Sequence, residues 1–163
     1  MVEPAPKAPQ QGAYLAPDDA RREQVASLLR NAGILLAVVH GSRARGGARP
    51  GSDLDVGLLA RNGQPLSYAS MGLIALDLSQ ALGLQVDASD LATADAIFRF
   101  EVAGCARPLF EADPHAFTDF VGKTLVDYSD IQRFLPELVA GVARGRSLPR
   151  NDNSLAAKSG AKP

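Results

Sequence analysis

The chain has 163 residues, 46% of them hydrophobic and 21% charged, with a formal net charge of −1. That is about one domain's length and enough to bury a sizeable core, and the near-neutral balance excludes a nucleic-acid coat or a membrane-surface binder. Cys105 is the single cysteine, which excludes an intrachain disulfide framework or cysteine zinc site, and no apolar run approaches the ~20 residues that span a bilayer.

The start of the chain, rich in Pro, Ala and Gln over residues 1–16, lacks the charged-then-apolar pattern of a signal peptide. It reads as a tail on a soluble, cytoplasmic protein. Asp18 or Asp19 can cap a helix over about 19–31, with Val25, Leu28 and Leu29 as its stripe and Gly33 as its stop. ILLAVV, 34–39, reads as a short buried strand, and DLDVGLLA, 53–60, as a second. RNGQP is a turn. A helix follows over about 66–82, where Met71, Ile74, Leu78 and Leu82 recur at three- and four-residue steps. LQVDA, 84–88, reads as a third strand, 92–105 as a helix, RPLFEA as an extended piece, and 114–143 as one long or broken helix. From about 144 onward the chain is polar, small and basic and reads as a second tail. The expected domain is thus 17–143, and strands alternating with helices make it α/β or α+β around a central sheet.

The stretch from His40 to Asp55 breaks this pattern. A strand ends at His40, and Gly41 lets the backbone turn sharply and a ligand come close. Ser42 stands where a short helix can start, as a cap or as a hydroxyl aimed at a ligand. Free N–H groups at such a point bind phosphate oxygens, and Arg43, Arg45 and Arg49 add positive charge. After ten intervening residues, 43–52, come Asp53-Leu54-Asp55. Strand residues two apart share a face, so both carboxylates can converge on a hard cation while Leu54 enters the core. A third carboxylate would complete a two-metal site. Asp87, in the predicted third strand, is the candidate; Asp90 competes, but after Ser89 it reads as the cap of the next helix. Cys105 and His115 read as packing and helix-start residues, and His40 as a residue at a strand end.

Gly41-Ser42, ten residues, then Asp53-Leu54-Asp55 resembles the signature of the nucleotidyltransferase superfamily related to DNA polymerase β. The form GSRARG…SDLDV is similar to that of its small bacterial branch, the minimal nucleotidyltransferases, and the order of elements from about 18 to 112 fits as well. The resemblance implies a small mixed sheet flanked by helices. It implies that Asp53, Asp55 and Asp87 are catalytic and hold two magnesium ions, and that Gly41, Ser42, Arg43 and Arg45 bind the nucleotide. Many minimal nucleotidyltransferases are antitoxins paired with a helical HEPN-domain ribonuclease toxin, to a tyrosine of which they are thought to transfer AMP from ATP. The expectation is therefore a protein adenylyltransferase acting on a HEPN partner, with nucleic acid not its direct substrate. The alternatives are a small-molecule transferase of the aminoglycoside type, for which the chain has little room, and an antitoxin that acts by binding alone.

Overall fold

The computed structural model describes residues 19–49 and 51–143; both predicted tails, and Asp18 as a cap, lie outside the described residues. The elements in chain order are α1 (Asp19–Asn31), β1 (Ile34–Val39), α2 (Gly41–Ala44), β2 (Leu54–Ala60), α3 (Tyr68–Leu82), β3 (Val86–Asp90), α4 (Ala96–Cys105), β4 (Arg107–Glu111) and α5 (Ala116–Ala143). The chain divides into two compact units, residues 1–128 and 129–163.

In the first unit the four strands form one mixed sheet in the order β3-β2-β1-β4. β1 runs antiparallel to both β2 and β4, and β2 runs parallel to β3. The one parallel pair is joined through α3, as a parallel connection requires. Pro108 lies on the edge strand β4, where a missing N–H costs no ladder bond on the open side.

Each face of the sheet carries its own core. On one face Val25 and Leu29 of α1 and Ile74, Leu78 and Leu82 of α3 pack on Val39, Leu54, Val56 and Leu58. These helix positions recur every three or four residues, so one stripe of each helix meets the sheet. On the other face Leu36 and Val38 meet Leu91, Val102 of α4, and Ala116 and Phe120 of α5. Gly57 makes room there: a Cβ would sit 2.9 Å from Cδ1 of Leu91, which is fully buried. α4 is fastened to the first half of α5 by an Arg99–Asp127 ion pair of 3.0 Å and by stacking of Phe100 on Tyr128 at 3.9 Å.

Several boundaries differ from those the sequence predicts. The third strand runs Val86–Asp90 rather than 84–88, so Asp87 is its second residue and not near its end. Gly83 caps α3 in the left-handed region, and Leu84 and Gln85 are spent bringing the chain back; the Leu54 N–H donating to the Gln85 carbonyl at 2.8 Å opens the ladder. α4 starts at Ala96 rather than 92, because Asp95 caps it by accepting from the Phe98 N–H. β2 starts at Leu54, leaving Asp53 just ahead of it.

In the second unit the described residues are the helical stretch 129–143. Ile131, Phe134, Leu135 and Val139 are exposed on it, and their spacing puts them along one stripe.

Candidate active site

The turn after β1 is built around Gly41. Its φ is +68°, a region that L side chains occupy at a cost. A Cβ there would also lie 3.0 Å from Cγ of Asp55 and closer still to Oδ2. The Asp55 carboxylate therefore rests directly against the Gly41 backbone. The His40 N–H donates to the Asp55 carbonyl at 3.0 Å, which locks the turn to the start of β2. Ser42 is exposed inside α2, and its carbonyl accepts from the Gly47 N–H at 2.9 Å. The N-cap position belongs to His40, which makes no side-chain capping bond.

The loop returning to β2 is clamped by Arg43. Its guanidinium donates to the Ser52 carbonyl through Nε and a terminal nitrogen, and to the Asp53 carbonyl at 3.2 Å. Arg43 thus positions the backbone that carries Asp53. Arg45 is exposed on the turn, and the Arg49 N–H donates to Ser52 Oγ at 3.0 Å.

Sheet register separates the two candidates for the third carboxylate. In the parallel β2–β3 pair Asp55 stands opposite Asp87, and Gly57 opposite Ser89. Because side chains alternate along a strand, Asp55 and Asp87 share a face. Asp90 is opposite Leu58, on the other face, and is 7% exposed. Its carboxylate accepts from the N–H groups of Leu66 and Ala92 and from the Thr93 hydroxyl at 3.0–3.2 Å. It therefore ties the turn before α3 to the turn after β3, and is not the cap of α4 that the sequence suggests. Asp53 and Asp87 are exposed and Asp55 is half-buried. Among the described residues no three His, Cys, Asp or Glu side chains form a group that could hold a metal by themselves.

The family described as Polymerase beta, Nucleotidyltransferase matches residues 23–115 of this sequence. The chain belongs to that family. Its fold is shared with solved structures. A toxin–antitoxin with AMP-PNP is 24% identical, with a TM-score of 0.62 over 75% of this chain and 98% of that one. A tri-AMPylated Shewanella oneidensis HEPN toxin in complex with its MNT antitoxin is 22% identical, with a TM-score of 0.57 over 76% and 97%. The toxin–antitoxin MntA–HepT gives 22%, 0.57, 76% and 97%. No curated protein matches the chain. No helix among the described residues is long and apolar enough to cross a membrane.

Two features of this nucleotidyltransferase's site were not legible in its motif. His40 is half-buried, with its ring edge-on to Phe98 at 5.6 Å and Nε2 3.4 Å from Ser89 Oγ. One face of α4, bearing Phe98, Glu101, Val102 and Cys105, forms a cleft with Gly41, Asp55 and their neighbours. Cys105, half-exposed, lines that cleft rather than the core. The 98, 101, 102, 105 spacing is a helical stripe, but only the tertiary fold brings it to the turn.

Burial lowers the His40 pKa below its ordinary 6.5, against the opposing pull of Asp55 and Asp87. Below 6.5 the unfolded chain then binds more protons than the folded one, so stability rises with pH there. Stability is expected to hold above 6.5 and to fall as the pH drops from there toward the lowered folded value. His40→Gln should flatten that part of the curve; urea unfolding across the range checks it, and an unchanged slope contradicts it.

Asp90→Ala is expected to act on stability. It strands two backbone N–H groups, which costs ~2–4 kcal/mol. A variant that unfolds at the wild-type urea midpoint would remove Asp90 from the structural frame.

Proposed function

We propose that this chain is a magnesium-dependent adenylyltransferase that moves AMP from ATP to a tyrosine hydroxyl of a HEPN-domain partner, and so acts as that toxin's antitoxin. The observation that carries the reading is the pairing of Asp55 with Asp87 across β2 and β3, with the Asp55 carboxylate pressed on the Gly41 turn. Two oxygen donors beside a turn of free N–H groups suit a phosphate–cation complex better than a preformed metal cage. Magnesium takes one or two carboxylates and completes its shell with substrate phosphates and water, and Asp55 and Asp87 offer two such carboxylates.

In this reading Asp55 and Asp87, with Asp53 at the head of β2, hold the magnesium ions. Gly41, Ser42 and Arg45 receive the phosphates, and Arg43 keeps the return loop in place. Bound magnesium would neutralise charge on the phosphates. The acceptor oxygen bonds to the α-phosphorus, the bond to the bridging oxygen breaks, and pyrophosphate leaves with the electron pair. A carboxylate of the pair takes the hydroxyl proton. The AMP-PNP and AMPylated-toxin complexes among the solved structures of this fold support the choice of nucleotide and partner.

The test is direct. The purified protein, ATP, magnesium and a HEPN-domain toxin that it neutralises should yield toxin molecules heavier by one AMP or more, localised to tyrosine by fragmentation. Neutralisation of the toxin with no gain in mass would replace transfer by contact alone.

A further inference from the structure

We propose that Tyr68 of this chain is itself an acceptor, taking AMP from the site of a second copy of the chain; this rests on the transferase reading above and adds a substrate to it. The sequence holds three tyrosines, Tyr14, Tyr68 and Tyr128, of which Tyr14 lies outside the described residues. The other two stand in different surroundings. Tyr128 is half-buried, stacks on Phe100 at 3.9 Å and directly follows Asp127. Tyr68 is 92% exposed at the first position of α3. Side chains lean toward the start of their helix, so its phenol projects past that end into solvent. It offers the same chemical group, an aromatic hydroxyl on a helix, that the proposed toxin reaction modifies.

The surroundings of Tyr68 favour both approach and product. α3 has no acidic residue in its first turn, and the chain from Arg61 to Leu76 holds none at all. A transferred AMP adds a negative phosphodiester charge, which the positive end of a helix macrodipole stabilises. Gly72 and Leu76 follow Tyr68 at four-residue steps, which places them on its side of the helix. Leu73 and Leu76 are exposed there, so a second molecule meets apolar surface leading to the phenol. The transfer has to run between molecules. α3 packs on the sheet face that holds Val56 and Leu58, and alternation puts Asp55 on the opposite face. Tyr68 also lies past the far end of β2: from Asp55 to Ala60 the strand spans roughly 17 Å at ~3.3 Å per residue. The Leu66 N–H, donating to the Asp90 carboxylate at 3.2 Å, fixes the intervening turn at that end of the sheet. A tyrosine side chain cannot bridge that separation, so the carboxylates come from another copy. The Tyr68 oxygen bonds to the α-phosphorus of ATP, the bond to the bridging oxygen breaks, pyrophosphate leaves with the electron pair, and the phenolic proton passes to a carboxylate of that site.

The test uses the full chain with ATP and magnesium ions and no toxin. Intact mass is expected to rise by one AMP, and fragmentation should place it on Tyr68. Tyr68→Phe should gain no mass and still modify the HEPN toxin at the wild-type rate, because the phenol is remote from its own site. Mixing separates donor from acceptor: Asp55→Asn keeps the phenol, and Tyr68→Phe keeps the carboxylates. Neither variant alone should be modified, and in the mixture AMP should appear on the Asp55→Asn chain. No gain in mass on wild-type protein that does modify the toxin would overturn the proposal. AMP on Tyr14 or Tyr128 in place of Tyr68 would overturn it too, as would an unmodified Asp55→Asn chain in the mixture. A failure of the transferase reading looks different: neither the chain nor the toxin would gain mass.

Discussion

Replacing Asp55 with asparagine is expected to cut AMP transfer by ~10³-fold or more while leaving the fold intact. Asparagine has the same shape, so it can stay against Gly41, where the carboxylate now rests. What it loses is charge and one acceptor oxygen. A cation clamp on a phosphoryl group supplies several kcal/mol of transition-state stabilisation, and each ~1.4 kcal/mol is a factor of ten in rate. The folded state should not suffer, because Asp55 faces Asp87 across the parallel pair and removing one of two like charges relieves repulsion. Asp87→Asn is expected to behave in the same way. Single-turnover transfer rates and urea midpoints measured on the same preparations check both halves. Wild-type rates in either variant would remove that residue from the chemistry.

Gly41→Ala is expected to damage activity more than stability. The backbone at φ +68° costs an L residue roughly 1–2 kcal/mol, a loss that a folded domain can survive. The larger effect is steric. The new methyl would occupy the space of the Asp55 carboxylate, 3.0 Å from its Cγ, so Asp55 must swing away from the turn. A displacement of ~1 Å at reacting groups can cost 10²-fold in rate. Gly46 provides the control: its φ is +76°, but a Cβ there meets nothing within 4 Å. Gly46→Ala should therefore lose similar stability and keep most of its transfer rate. Equal rate losses in the two variants would show that backbone strain alone is responsible and that the carboxylate contact is incidental.

These two experiments also separate what was legible in the sequence from what was not. The turn and the aspartates were legible because their signals are short-range. A glycine after an apolar run marks a backbone reversal, and Asp-Leu-Asp marks a strand that is polar on one face only. The helices predicted over 19–31 and 66–82 were equally visible, since their buried positions follow helical spacing, although the second starts two residues later, at Tyr68, where the Ser67 side chain caps it by accepting from the Ser70 N–H. The third strand was misplaced by two residues because its limits are set by pairing with β2, and pairing is not local. For the same reason Asp87 and Asp90 could not be told apart by rule. Both sit in VDASD among small residues, and only the register opposite Asp55 and Leu58 sends one to the site and the other to the buried turn.

The order of elements, the glycine turn after β1 and the family were thus determined by the chain's own local pattern. The partnership of Asp55 with Asp87, the clamp of Arg43 on the return loop and the α4 wall with Cys105 were decided by tertiary structure. Each of these joins residues from separate elements or from both ends of a loop. Sheet hydrogen bonding and packing against two cores bring them together, and no spacing along the chain encodes that closure.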